Sequence, residues 1–324
     1  MIAEMTSLLL AAVVTLGDWS FSRDGKKWED VTVPHDWAIA GPFDREIDKQ
    51  VVAIVQDGEK KADEKTGRTG SLPWIGKGEY RRKITIPSGT GWASLVFDGA
   101  MSEPEVFFDG RKVGEWKCGY NAFEVELPAE EGEHEIRVRL ENRPLSSRWY
   151  PGAGLFRPVE LRTGAKSGIR TWGVSAYTPD LRTVRVSTEC RGAVAKVVYT
   201  VKDGARTVAT AADTQPLKRT ETALVADFEP WSPETPKLYT LVTEAFDADG
   251  RLVDRQENRL GIRTLEYGQG YFALNGKRRK FKGVCLHHDL GPLGAAFDAD
   301  AFRRQLTLLK EMGCDSIRTS HNMP

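Results

Sequence analysis

The stretch FKGVCLHHD, residues 281–289, and its counterpart CDSIRTSH, residues 314–321, decide how the end of this chain folds. Each is a short apolar run that ends in polar, histidine-bearing residues. Between them lies a legible helix. Asp298 can cap its N-terminus, Phe302, Leu306, Leu309 and Met312 recur on one face at helical spacing, and Gly313 supplies a C-terminal stop. Two strands joined through a helix run parallel, since a hairpin cannot make that connection. Their C-terminal ends then open on one side of the sheet, where α/β proteins carry their chemistry. His287 and His321 are therefore expected to face one pocket.

Upstream of this unit the signals change to short alternating runs broken by turns. The Asp109-Gly110, Asp203-Gly204, Asp249-Gly250 and Asn275-Gly276 pairs each predict a hairpin, because both central residues of a type I′ turn need φ > 0. Tyr80–Ile86 reads as a strand stopped by Pro87, and His134–Leu140 alternates strictly, as a half-buried strand should. Helix-period segments are rare before residue 298, so the bulk is all-β. Residues 16–162 suggest a sandwich or jelly roll, and residues 168–264 an immunoglobulin-like sandwich entered past Trp231 and the prolines at 230, 233 and 236. The polar stretch 56–68 reads as an exposed loop. The expected division is 1–163, 164–264 and 265–324, the last holding the first βαβ unit of a barrel. Some sixty residues with one helix cannot bury both faces of a parallel sheet, so the chain is expected to stop inside this third unit.

Composition narrows the function. Lys plus Arg equals Asp plus Glu, 46 each, which argues against a nucleic-acid or anionic-membrane binder. Cys118, Cys190, Cys285 and Cys314 show no metal or disulfide spacing; they are expected to be inert core thiols, the last two on the parallel strands. Ser7–Leu16 has the length of a signal-peptide apolar region, too short to span a bilayer, with Glu4 the only charge before it. Read as a degenerate export signal, it implies a periplasmic or extracellular bacterial protein. Read as a first strand, Val13–Phe21, it leaves the cytoplasm open.

Two stretches are odd for plain scaffold. Residues 34–37 (PHDW) set a histidine, an aspartate and a tryptophan beside a fixed turn. Residues 142–157 (NRPLSSRWYPGAGLFR) combine arginine with aromatic rings, which suits a sugar site: rings cover apolar sugar faces while arginine donates to hydroxyls. The plainer reading is that Trp149, Tyr150 and Phe156 plug an edge of the sandwich while Arg157 pairs with a carboxylate.

Seven collinear stretches resemble the N-terminal half of glycoside hydrolase family 2, in particular its bacterial β-galactosidases. They are residues 34–37, 65–73 (KTGRTGSLP), 148–157 (RWYPGAGLFR), 231–239 (WSPETPKLY), 261–264 (GIRT), 281–294 (FKGVCLHHDLGPLG) and 318–324 (RTSHNMP). The chain departs from the family at Cys314 or Asp315, where Asn is usual, and near Asn322-Met323, where Pro or Tyr is common. The resemblance implies a mostly β chain: a jelly-roll sugar-binding domain, an immunoglobulin-like β-sandwich, then the start of a (β/α)8 TIM barrel. It implies retaining hydrolysis of terminal β-galactosides, with β-glucuronidase or β-mannosidase activity as alternatives. The family's acid/base and nucleophile glutamates sit on later barrel strands, so this chain is expected to be inactive alone. His287 and His321 match the family's substrate-contacting histidines; Arg148, a looser match, lies in the loop that reaches the barrel mouth. The chain itself calls for no cofactor. The full-length enzyme leaves room for Mg or Na and for a homo-oligomer.

Without the family, His287, His288, Asp289 and His321 could ligate a metal. Adjacent residues of a strand point opposite ways, however, and a metal pair wants His-x-His. A structural, hydrogen-bonded role suits His288. A non-catalytic carbohydrate-binding protein would have no use for two orphan strands and a helix.

Overall fold

The computed structural model describes residues 11–43, 60, 76–143, 149–214 and 219–320. The first unit is a sandwich of two antiparallel sheets. Its strands are β1 (Ala12–Thr15), β2 (Asp18–Ser22), β3 (Glu29–Thr32), β4 (Lys77–Ile86), β5 (Trp92–Phe97), β6 (Glu105–Phe108), β7 (Arg111–Glu115), β8 (Phe123–Leu127), β9 (Gly132–Glu141) and β10 (Val159–Gly164). One sheet runs β1-β10-β5-β8, the other β3-β2-β4-β9-β6-β7. The alternation read in residues 134–140 holds: His134, Ile136, Val138 and Leu140 point inward. Phe21, Trp37 and Tyr80 cluster in the core, with Phe21 and Trp37 stacked at 5.3 Å. The apolar N-terminal stretch divides. Ala12–Thr15 pairs with β10 and Leu16 is buried, so this part is built into the sandwich, while residues 1–10 lie outside the described residues. The loop expected over residues 56–68 is outside them too, save Lys60.

The second unit has seven strands: β11 (Gly168–Tyr177), β12 (Thr183–Arg191), β13 (Lys196–Asp203), β14 (Arg206–Asp213), β15 (Arg219–Val225), β16 (Tyr239–Phe246) and β17 (Leu252–Leu260). They form sheets β11-β12-β15 and β14-β13-β16-β17 over a separate core of residues such as Val186, Tyr199 and Leu241. This is the three-plus-four arrangement of an immunoglobulin-like sandwich. The hairpin after Asp203 turns one residue later than expected, at Gly204-Ala205, because Asp203 still pairs with Arg206.

The third unit opens with β18 (Leu265–Gly268), β19 (Tyr271–Leu274) and β20 (Lys277–Arg278), the last two joined at Asn275-Gly276 with φ of 51° and 74°. Asn275 does more than turn the chain. Its side chain accepts from the Thr264 N–H at 3.0 Å and donates to the Trp231 carbonyl at 3.0 Å, tying this hairpin to the second sandwich. Next come β21 (Gly283–Leu286), α1 (Ala299–Glu311) and β22 (Ser316–Thr319), with β21 and β22 parallel. Asp298 accepts from the Ala301 N–H at 2.7 Å, as an N-cap should. Phe302, Leu306 and Leu309 are half-buried, whereas Met312 sits past the last turn and is 66% exposed. Cys285 also departs from expectation. It is exposed, because it lies on the open face of β21, while Val284 and Leu286 on the other face are half-buried; Cys118 is exposed too, and Cys314 is only half-buried.

Candidate active-site cleft

The parallel register pairs Leu286 with Thr319, and the Ser320 N–H donates to the Leu286 carbonyl at 3.1 Å. Both strands therefore end together, and His287 leaves the sheet at that shared end. Its ring packs against Trp149, centroids 5.7 Å apart and tilted by 56°. His321 and Arg148 lie outside the described residues.

His288, one residue on, also lines the cleft described below and turns to the first sandwich. Its Nε2 lies 3.0 Å from the Pro151 carbonyl, which can only accept, so Nε2 carries the proton. Tyr120 meets the ring edge-on at 5.3 Å and Phe156 lies at 5.7 Å. Burial pulls its pKa down, so the ring is neutral near pH 7. His288 fastens the barrel loop to the first sandwich, the structural role expected of it.

The main fastening is Asp36. Its Oδ1 accepts from the N–H groups of Ala38 and Ala153, both at 3.0 Å. Its Oδ2 accepts from the Tyr150 hydroxyl at 2.5 Å and the Ala295 N–H at 2.8 Å. One buried carboxylate thus joins the PHDW turn, the 149–157 loop and the loop after β21. Burial pushes its pKa up and the hydrogen bonds, led by that of Ala295, pull it back. Gly294 and Gly152 make the approach possible. A Cβ on Gly294 would meet Asp36 Oδ2 and Ile39 Cγ2, each at 2.4 Å, and one on Gly152 would meet the Ala295 Cβ at 2.3 Å. His35 is structural as well: its Nδ1 lies 2.7 Å from the Tyr80 hydroxyl, and burial lowers its pKa to about 4.

Where these loops meet, a cleft of about 650 Å³ runs between the first sandwich and the ends of β21 and β22. Asp98, Tyr120, Asn121 and Arg157 line the sandwich side; His287, Phe297, Phe302 and Thr319 line the other. Arg157 corrects an expectation. Its Nη1 donates to the backbone carbonyls of Asp98 (3.3 Å) and Tyr120 (3.4 Å) rather than to a carboxylate. Burial lowers its pKa and the nearby Asp98 charge opposes that. Phe156 is fully buried with Met101 and Ala295, which bears out the plug reading for that ring. Trp149 instead donates through Nε1 to the Tyr120 hydroxyl at 3.1 Å and faces His287. The cleft can hold a polyhydroxylated ligand: aromatic walls, an amide, a guanidinium and an imidazole surround it. Asp98, Tyr120 and Asn121 had no signal in the sequence, since they lie in loops that only the fold brings to the barrel.

A second groove of about 650 Å³ lies beside the six-stranded sheet, and none of its lining residues belongs to the third unit. It is lined by charges that neutralise one another, such as Lys77 with Glu141 and Arg143 with Glu103. Among the described residues no group of three His, Cys, Asp or Glu side chains is placed to hold a metal ion. None of the described helices is long and apolar enough to cross a membrane.

Comparison with known proteins follows the same division. Residues 169–263 match the family model "Glycosyl hydrolases family 2", and residues 265–323 match "Glycosyl hydrolases family 2, TIM barrel domain". Beta-galactosidase BoGH2A of Bacteroides ovatus is 32% identical over 92% of this chain and 36% of its own length. The crystal structure of a glycosyl hydrolase family 2 member from Bacteroides cellulosilyticus superposes with a TM-score of 0.79 at 28% identity, covering 96% of this chain and 43% of that one. A Bacteroides uniformis beta-glucuronidase shares the fold, with a TM-score of 0.77 at 23% identity over 96% of this chain and 39% of its own. The chain spans about a third of the curated relative's length.

Proposed function

As this chain belongs to glycosyl hydrolase family 2, we propose that it forms the sugar-binding and scaffold side of a retaining exo-β-glycosidase acting on terminal β-galactosides. The observation that carries the reading is the common end of β21 and β22, with His287 beside Trp149 at the mouth of the cleft. In such a reaction one carboxyl protonates the leaving oxygen while another, roughly 5 Å away, forms and releases the glycosyl-enzyme. No residue of these 324 is assigned to either carboxyl. The work of this chain is to hold the sugar: His287, His321 and Arg148 contact its hydroxyls. A neutral imidazole both donates and accepts, so its bonds can strengthen as charge develops on the ring. A neutral sugar is favoured over a uronate. Arg157 is the guanidinium among the described residues lining the cleft, and the nearby Asp98 offsets it.

The purified chain should not turn over a nitrophenyl β-galactoside, and measurable hydrolysis would refute the assignment of both carboxyls elsewhere. A polypeptide continued through later barrel strands should prefer the aryl β-galactoside over the glucuronide and mannoside; the opposite ranking would move the reading within the family. We also propose division at 163/164 and 264/265, testable by limited proteolysis. We further propose export to the periplasm or beyond, testable by sequencing the mature N-terminus.

A further inference from the structure

We propose that the cleft between the two sandwiches, built around Trp172, Gln256 and Asn258, binds a pyranose unit of an oligosaccharide at a site separate from the barrel-end cleft. β11 loses register with β12 between Ile169 and Val174. Within that irregularity Trp172 holds a φ of 53°, a left-handed conformation that bulky residues seldom adopt. Gly173 beside it has no room for a Cβ, which would lie 2.6 Å from the Glu189 carbonyl oxygen and 2.8 Å from that of Arg170. The backbone is therefore held in this shape. Its effect is to present an indole that is 55% exposed and has no ring partner among the described residues. A fold that strains its backbone to expose a large apolar ring is aiming that ring at something.

The opposite wall points to what it meets. β17 is an edge strand, and its Gln256 and Asn258 pair with the fully buried Thr243 and Leu241. Directly paired residues share a face, so both amides overhang the inward side of the sheet, where alternation would call for apolar residues. Asn258 makes no side-chain hydrogen bond among the described residues, and Gln256 makes one contact, at 3.5 Å, to the Arg170 carbonyl. Trp92 closes the cleft under the Arg191 guanidinium, 3.9 Å from its ring. The space is about 330 Å³, at the small end for ligand clefts.

An indole platform facing planar amides is the chemistry of a pyranose site. The sugar's C–H face covers the ring and its hydroxyls exchange hydrogen bonds with the amides. The charged groups at the cleft are already engaged: Arg162 with Glu160 at 2.7 Å, Arg255 with Glu257, and the Asp254 carboxylate with the Ile169 and Arg255 N–H groups, each at 2.7 Å, so a neutral sugar fits better than an anion. This site does not depend on the hydrolase reading, because no catalytic group takes part.

The test is titration of the whole chain with lactose and with cellobiose, followed by the indole N–H resonances. The expected result is a saturable, millimolar shift of the Trp172 indole. Trp172→Ala should weaken binding at least about tenfold, Trp172→Phe should retain most of it, and Asn258→Ala should weaken it as well. His287→Ala should leave it unchanged, which separates this site from the barrel-end cleft. The proposal is overturned if neither sugar moves the Trp172 signal, or if both Trp172→Ala and Asn258→Ala bind like the parent. It is also overturned if the indole responds to protein concentration instead, since a second copy would then cover Trp172 and the exposed Val13 that lines the cleft with it.

Discussion

Replacing Asp36 by Asn should undock the barrel loop while leaving the first sandwich folded. The carboxylate accepts four hydrogen bonds, two on each oxygen. An Asn keeps one acceptor, best used on the Ala38 and Ala153 N–H groups. Its amide nitrogen then faces the Tyr150 hydroxyl, which can turn to accept, and the Ala295 N–H, which cannot. One buried backbone donor loses its partner and meets another donor, at a cost of about 1–3 kcal/mol. Asp36→Ala strands all four donors; with water replacing some of them, the cost is about 3–5 kcal/mol, a large part of a typical domain's stability. Amide exchange read at single residues distinguishes the two variants. Asp36→Asn should speed exchange at Ala295 and leave Ala38 and Ala153 protected; Asp36→Ala should expose all three. Unchanged protection of Ala295 in Asp36→Asn would refute the claim that this carboxylate holds the loop.

Gly294→Ala must push a methyl into Asp36 and Ile39 at a φ of 60°, and should destabilise the chain by about 2–4 kcal/mol in denaturant unfolding. Gly270→Ala, at a φ of 75° but facing open space, should cost only about 1 kcal/mol. The hydrogen bond from His134 to Asp109, 2.7 Å long, raises the histidine pKa above 6.5. Its stabilisation is complete below that ordinary value and is lost as pH rises through the folded value. Relative to the parent, His134→Gln should therefore cost more stability at pH 6 than at pH 8; the buried His35, whose lowered pKa works the opposite way, is common to both proteins and cancels in that difference. Alkylation followed by mass spectrometry should find Cys285 modified well before Cys190. The former is exposed and its thiol is pulled down by Ser320 and Arg318; the latter is buried and pushed up to about 11. Arg318→Ala should slow the reaction at Cys285.

The elements were legible wherever local chemistry is sufficient to specify them. Asp298 announces a helix start because a short carboxylate reaches its own N3 amide, and Asn275-Gly276 announces a turn because both residues tolerate φ > 0. The strict alternation of residues 134–140 reported a half-buried strand for the same reason: the pleat has a period of two. The parallel pairing of β21 with β22 followed from connectivity, so the shared strand end that carries His287 was also readable. Cys285 and Met312 were misplaced because apolar character and spacing say which residues could be covered, not whether anything covers them.

What tertiary structure alone decided is the company these residues keep. PHDW showed that something unusual stood at residues 34–37, but not that Asp36 would bond Ala295, 259 positions later. Asp98, Tyr120 and Asn121 carry no pattern at all, and they line the cleft only because two loops of a sandwich end beside a barrel strand. Trp172 reads as an ordinary strand residue until the slip in β11 turns it out to solvent. Periodicity, capping and turn preference act over a few neighbouring residues, and one sequence displays them in full. A buried carboxylate's partners and a cleft's walls depend on contacts between distant segments, and their free energy exists only once the chain has closed around them.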